Sequence, residues 1–568
     1  MCGRRAQQPG PRTGRRAPGC WVTMQEMKSL REVRKRVSSP RALLETALIG
    51  PRTAADIAVL ARAGVLRPLG KAAPELLRMV VREGPKAHLV HALHGIRDAA
   101  EPALIWDGGS RTWSEFYDRT KRLANHMLSM GLEPGDAVAI MLPNRPEFIE
   151  AQAAALRLGA VTSYVNPRAP AAEAQELFAR TRTRLVVTHR PEVTGDIPAL
   201  VVGSAFDEAI ASSSSDDPKV PRSAKGRIVI FTSGTTGRPK AAVRSLAGTG
   251  IGSLAGFLRI IPFHVDDVHL VVCPMYHSSG SGFAAVAQAL GNPMVVVERF
   301  TEEAFCRLVQ EHEVTTTTVV PTMLNRLAHF EGARDYDLSS LRIVVCTGSP
   351  LRQEVRDAAR NLLGDVIFDL YGATEMGWVS IATPDDQRRK PGTVGKPVSN
   401  VTLRITDPDG NEVEPGHPGE IWVSSDVLMD SYLDDPVLER ERIRDGFVSV
   451  RDVGYLDDDG YLHVVDRADD MIISGGVNVY PAEVEVALGS HPDVSEAAVV
   501  GVNDPEWGQR IVAVVVTDAD IAPDALIAWC KEHVSYAAVP KEIRVVDELP
   551  RNDIGKVDKR ALAEAWDD

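Results

Sequence analysis

The stretch that most limits what this chain can fold into is residues 227–240, Arg-Ile-Val-Ile-Phe-Thr-Ser-Gly-Thr-Thr-Gly-Arg-Pro-Lys. Val229, Ile230 and Phe231 suit a buried strand. The run then breaks into a loop in which Gly234 and Gly237 let the backbone approach a ligand closely. Thr232, Ser233, Thr235 and Thr236 add hydroxyls, successive N–H groups can form an anion-binding concavity, and Lys240 brings a mobile point charge. Triphosphate is the guest that such a loop expects. Taken alone, the same loop reads equally as a polar turn. Its spacing also departs from GxxxxGK[ST], because no Ser or Thr follows the lysine, so the site of ordinary P-loop ATPases is not predicted.

At 568 residues with 44% hydrophobic content, the chain can fill two or more cores. A net charge of −13 argues against a nucleic-acid binder, so anionic small ligands must be held by local donors. Six scattered cysteines, without a CxxC pair or a Cys/His cluster, predict a reduced, cytoplasmic protein. No apolar run approaches the roughly 20 residues of a membrane span, so any membrane contact is expected to be peripheral.

Residues 1–40 read as a basic, disordered tail. Arginines among Gly, Pro and Gln fill its first 23 positions without an apolar segment, and Met24 is a candidate start. Residues 41–48 and 53–63 carry helical apolar spacing, facing either the core or lipid. From Pro102 strands and helices alternate, with a capping-box pattern opening at Thr112. The predicted class is α/β, with layered, largely parallel sheets through residue 380. Short strands after 395 predict a β-rich subdomain, and a compact α+β unit follows. The expected division is 41–468 and a mobile 469–568.

Tyr371-Gly372-Ala373-Thr374-Glu375 follows an apolar strand expected to end at Phe368, which places it at a sheet's C-terminal edge, where open α/β folds bind ligands. By itself Glu375 could be a solvated cap, and Gly348-Ser349-Pro350 an ordinary turn after the preceding strand. Asp452, Arg467 and Lys556 are, in isolation, surface charges, and His277 could be a satisfied core histidine.

Together these segments resemble the AMP-forming adenylating enzymes, the superfamily of acyl-CoA synthetases, luciferases and peptide-synthetase adenylation domains. The Thr-Ser-Gly-Thr-Thr-Gly-x-Pro-Lys loop matches completely, and six or more motifs stand in the family's order over about residues 100–565. The resemblance implies that Tyr371 packs on adenine, with Gly372 and Thr374 beside it, and that Glu375 holds Mg²⁺ on the triphosphate. It puts the backbone of 348–350 and the Asp369 carboxylate at adenine, and Asp452 with Arg467 at the ribose. Lys556, in a Pro-x-x-x-x-Gly-Lys element, would bridge the acid and the α-phosphate. Asp469 would be the hinge, and Gly475 and Gly476 would lie by CoA. Tyr276, His277, Gly280, Met323, Gly348, Met376 and Trp378 would line the acyl pocket, which lacks the aspartate that pairs an amino acid's ammonium.

The implied reaction turns Mg·ATP and a fatty acid, or a related acid, into acyl-adenylate and pyrophosphate, and then transfers the acyl group to CoA. A carrier-protein thiol is the rival acceptor, and a non-catalytic adenylate-binding protein the rival class. Three positions depart from the family pattern, each with another residue where glycine is usual: Ala241, Arg451 and Asp466.

Overall fold

A computed structural model describes residues 53–64, 99–221, 226–232, 239–245, 251–467, 470–474, 477–505, 507–517, 519–551 and 557–567. Four sheets organise the described residues. The first is seven-stranded. Arg227–Thr232, Val161–Tyr164, Ala137–Met141, Thr183–Thr188 and Ala199–Val201 run parallel, and Lys240–Ser245 and Ser431–Tyr432 extend the edge antiparallel. Strands such as Ala137–Met141 are apolar on both faces because helices cover both, which is how an internal parallel strand reads in sequence.

The second sheet has nine strands, with Ile367–Ala373, Ile343–Thr347, Thr316–Val319, His269–Val271, Met294–Val296 and Pro102–Trp106 parallel at its centre. Helices fill the space around the sheets. Trp113–Ser129 opens with the expected capping box, in which Thr112 and Glu115 satisfy each other's backbone N–H groups. Phe257 packs on Phe263, Phe283 and Trp378, with ring centroids 4.8–6.0 Å apart. Each aromatic pair of this kind adds about 0.5–1.5 kcal/mol beyond burial.

The helix Thr53–Arg62 delivers Leu60 into this aromatic core, with Val59 packed against it. Residues 1–52 lie outside the described residues. Among the described residues no helix is long and apolar enough to cross a membrane.

A six-stranded antiparallel sheet follows, containing Thr402–Thr406, Gly419–Ser424, Asp452–Leu456 and Leu462–Arg467. The fourth sheet, of five strands from Ile472–Ser474 to Glu542–Val546, packs on helices Pro481–Gly489 and Pro523–His533. Gly489 is the last residue of the first helix, and Ser490, in right-handed conformation, follows as the cap.

Candidate active site

The signature stretch is a β-hairpin. Thr232 ends one strand, Lys240 begins the next, and the two face each other across the antiparallel pair. Lys240 therefore opens a strand, Lys240–Ser245, rather than the helix that follows a P-loop. Ser233, Gly234, Thr235, Thr236 and Gly237 lie outside the described residues. Ala241, where the family has glycine, is simply a buried strand residue.

The tyrosine motif differs from expectation in being part of its strand, which continues to Ala373. Pairing with Gly377–Ala382 sustains it, and that pairing requires Gly372: a Cβ there would sit 2.1 Å from the carbonyl oxygen of Gly377. The turn at Thr374–Glu375 then swings the glutamate towards the signature hairpin. Glu375 is buried, and Oγ1 of Thr232 donates to its Oε1 at 3.5 Å. Residues 143 positions apart meet here.

Tyr371 donates its hydroxyl to Oδ2 of Asp452 at 2.8 Å, and Arg467 Nε reaches Oδ1 at 3.1 Å. Burial, reinforced by the Asp452 charge, pushes the Tyr371 phenol well above its ordinary value, so it remains a donor. The pairing of Asp452 with Arg467 follows from register, since the two are directly opposite on adjacent strands. Arg451 takes a left-handed φ of 70°, which explains why glycine is usual before this aspartate. Its guanidinium and backbone are held by Glu420 and Ser449.

Asp369, the expected adenine acceptor, is engaged inside the protein through one oxygen. It is buried, and its Oδ2 is taken by the buried Arg356 at 2.8 Å. Burial pushes its carboxyl up to about 6, against the pull of Arg356. Of the predicted adenine loop, Gly348 and Pro350 are exposed and Ser349 is half-buried. Two residues on, Arg352 donates to the carbonyl of Ser495 in the fourth sheet's region at 3.2 Å.

The predicted acyl-pocket residues separate into groups. His277 stands at the N-cap of the helix Ser278–Leu290, lies tilted against Tyr276 with ring centroids 4.3 Å apart, and is followed by Ser278, whose Oγ lies 2.9 Å from Oγ1 of Thr374. Gly280 is dictated by close packing, since a Cβ would lie 2.3 Å from the carbonyl oxygen of Pro274. Trp378 joins Phe257 and Phe283, and its buried Nε1 has no hydrogen-bond partner. Met323 packs beside Leu324 and Val319 in another cluster. Met376 is fully buried among Ile421, Val423 and Leu462 of the β-rich region. The motif's sequence does not disclose that the turn after Glu375 sends Met376 inward. Lys556, Asp469, Gly475 and Gly476 lie outside the described residues.

For a divalent cation, the described residues hold no group of three or more His, Cys, Asp or Glu that could cage it. One buried carboxylate flanked by a hydroxyl does fit a Mg²⁺ that arrives with phosphates and keeps its waters. Sequence reasoning missed Arg244, Tyr432 and Arg356, which belong to no motif. The only signal was a charged or polar group inside an otherwise apolar strand or helix face.

Residues 96–433 match the family described as AMP-binding enzyme, and 483–556 match the AMP-binding enzyme C-terminal domain. The chain belongs to the AMP-binding enzymes. It is 32% identical to the 2-succinylbenzoate–CoA ligase of Bacillus licheniformis, over 81% of this chain and 96% of that one. It is 34% identical to a feruloyl-CoA synthase of Amycolatopsis, over 80% and 94%. The fatty acid–acyl-carrier-protein ligase ScoC of Streptomyces coeruleorubidus is 29% identical, over 84% and 96%. Among solved structures, O-succinylbenzoate coenzyme A synthetase from Bacillus subtilis, in complex with ATP and magnesium ion, superposes with a TM-score of 0.75. It is 27% identical, covering 83% of this AMP-binding enzyme and 98% of that chain. The relatives are acyl- and aryl-CoA ligases of the adenylate-forming superfamily, and this chain is an adenylate-forming CoA ligase with ATP, CoA and a carboxylic acid as fitting substrates.

Proposed function

We propose that the enzyme joins a hydrophobic carboxylic acid lacking an α-amine to CoA in two steps. A carboxylate oxygen attacks the α-phosphorus of ATP, the bond to the β-phosphate breaks and pyrophosphate leaves. The CoA sulfur then attacks the acyl carbon, its proton passes to solvent, and AMP departs with the acid's oxygen. The observation that supports this most is the meeting of Thr232, beside the signature loop, with Glu375, in the turn after the strand that aims Tyr371 at the Asp452–Arg467 pair. In this reading Thr232 to Gly237 and Lys240 hold the phosphates, Asp452 and Arg467 the ribose, and Gly348–Pro350 and Tyr371 the adenine. When bound, Mg²⁺ neutralises phosphate charge, and Glu375 is its protein ligand. Lys556 stabilises charge growing on the acid and phosphate oxygens in the first step, and Asp469 lets residues 469–568 turn before the second. Free, buried cysteines and the need for ATP and CoA favour the cytoplasm.

The acid is first read as an aryl acid, because the relatives named above include ligases of 2-succinylbenzoate and of ferulate. A fatty acid, the expectation from sequence, is the second reading, supported by the likeness to ScoC, which also keeps a carrier-protein thiol in view as acceptor. Mass spectrometry of thioester products from a panel of 2-succinylbenzoate, ferulate and C6–C16 fatty acids, offered CoA or a phosphopantetheinylated carrier, tests both choices. Aryl-CoA as the dominant product supports the first reading; fatty acyl-carrier as the dominant product replaces it.

A further inference from the structure

Two residues outside every recognised motif surround Glu375. Arg244, from the strand Lys240–Ser245, donates through Nη2 to the carbonyl of Thr374 and through Nη1 to that of Val427, each at 2.6 Å. It thus ties the Thr374–Glu375 turn to the loop at 427. Gly377, with φ of 71°, closes the same turn so tightly that a Cβ would lie 3.3 Å from Arg244 Nη1 and 2.9 Å from Val427 Cγ2. Two residues beyond Val427, the N–H of Met429 donates to the carbonyl of Glu375 at 2.8 Å.

Tyr432 completes the seat. Its short strand pairs with the signature hairpin at Ala242, and its buried hydroxyl donates to Oε1 of Glu375 at 3.4 Å. Thr232 addresses the same oxygen from the hairpin's other strand. Both contacts are long for hydroxyl–carboxylate hydrogen bonds, so they orient the group without saturating it. With both aimed at Oε1, Oε2 is the oxygen left to turn towards a cation.

We propose that Arg244 and Tyr432 are positioning residues which seat the Thr374–Glu375 turn and the Glu375 carboxylate for the divalent cation carried by the triphosphate. The assignment rests on the nucleotide-site reading given above. A magnesium ion demands near-octahedral oxygen placement at about 2.0–2.1 Å, so a carboxylate swinging freely on a loose turn serves it poorly. Arg244 contributes a rigid two-pronged donor to two carbonyls at once, which lysine cannot reproduce.

The test separates metal-bearing from metal-free nucleotide. Binding of Mn²⁺·ATP, followed by the electron paramagnetic resonance signal of the ion, is compared with binding of AMP in EDTA, followed by calorimetry. The full chain carries Tyr432→Phe, which deletes one oxygen, or Arg244→Lys, which keeps the charge. Each variant is expected to weaken Mn²⁺·ATP about tenfold, the scale of one lost hydrogen bond to a charged or structurally critical group, while AMP stays within about twofold. Equal weakening of both nucleotides, or no change in either, overturns the assignment, and Tyr432→Phe decides if Arg244→Lys fails to fold. If the wild-type chain binds neither nucleotide, the reading of the site falls, and this assignment falls with it.

Discussion

Asp452 spends both carboxylate oxygens inside the protein, Oδ2 on the Tyr371 hydroxyl at 2.8 Å and Oδ1 on Arg467 Nε at 3.1 Å. The group proposed to hold ribose is therefore already aimed, and a sugar hydroxyl has only to join or displace an existing partner. Preorganisation of this kind lowers the ordering cost of binding. Asp452→Ala should weaken AMP about 10–100-fold, as expected for losing hydrogen bonds to a charged acceptor. Tyr371→Phe, which leaves Arg467 in place, should weaken it less. Calorimetric titration with AMP checks the order, and a larger loss for Tyr371→Phe, which keeps the ring and removes only the hydroxyl, would show that the tyrosine hydroxyl rather than Asp452 carries the contact to AMP.

Arg451 offers a test of backbone strain. A left-handed φ costs a non-glycine residue about 1–2 kcal/mol, whereas its half-exposed pairing with Glu420 is worth about 0–1 kcal/mol. Arg451→Gly should therefore be as stable as the wild type or more so, and Arg451→Ala, which loses the pair and keeps the strain, less stable than either. Urea unfolding of the three chains gives the comparison. An alanine variant matching the glycine variant would remove strain from the explanation.

Asp466, the other departure from glycine, acquires a structural task. Its Oδ2 accepts from the N–H of Ala482 at 2.7 Å, in the first turn of the helix Pro481–Gly489, where Tyr480 at the cap supplies no side-chain hydrogen bond. A side-chain cap of this type contributes about 0.5–2 kcal/mol. Asp466→Gly should accelerate amide exchange in the first turn of that helix, read by mass spectrometry. Unchanged exchange there would mean that Asp466 does not cap it.

The parallel sheets, the strand ahead of the signature loop and the capping box at Thr112 were legible because each depends on local chemistry: apolar runs and a Thr/Glu spacing. Glu375 and Asp452 were legible for the same reason, since each stands inside a short motif. What could not be read is which distant groups would arrive beside them. Arg356 reaches Asp369 from a helix 13 residues earlier, and Tyr432 reaches Glu375 from 57 residues later. Nothing local in either segment announces the encounter. Met376 shows the complementary limit: its type suits a pocket or a core equally, and only the turn's direction decides.

Buried His269 should shape the acid side of the stability curve. Burial lowers its imidazole from the ordinary 6.5 to about 4, and Nδ1 lies 2.9 Å from Oγ1 of Thr316. The unfolded chain takes up this proton below pH 6.5 and the folded chain only near 4, so the contribution is complete above 6.5 and is lost as pH falls towards 4. The full swing is on the order of 3 kcal/mol. Between pH 7 and 5, the wild type should lose more unfolding free energy than His269→Gln, measured by urea titration at each pH. Equal losses would show that folding leaves the His269 imidazole at its ordinary value.

The account's central claim is an acyl-adenylate made at the Thr232–Glu375 site, and isotope transfer addresses it directly. With an accepted acid labelled by ¹⁸O in its carboxylate, one carboxylate oxygen must become part of AMP when the thiol displaces it. Mass spectrometry of the nucleotide product after turnover with Mg·ATP and CoA should find AMP carrying one ¹⁸O, with unlabelled pyrophosphate beside it. Unlabelled AMP, or ADP with ¹⁸O in inorganic phosphate, would contradict the account.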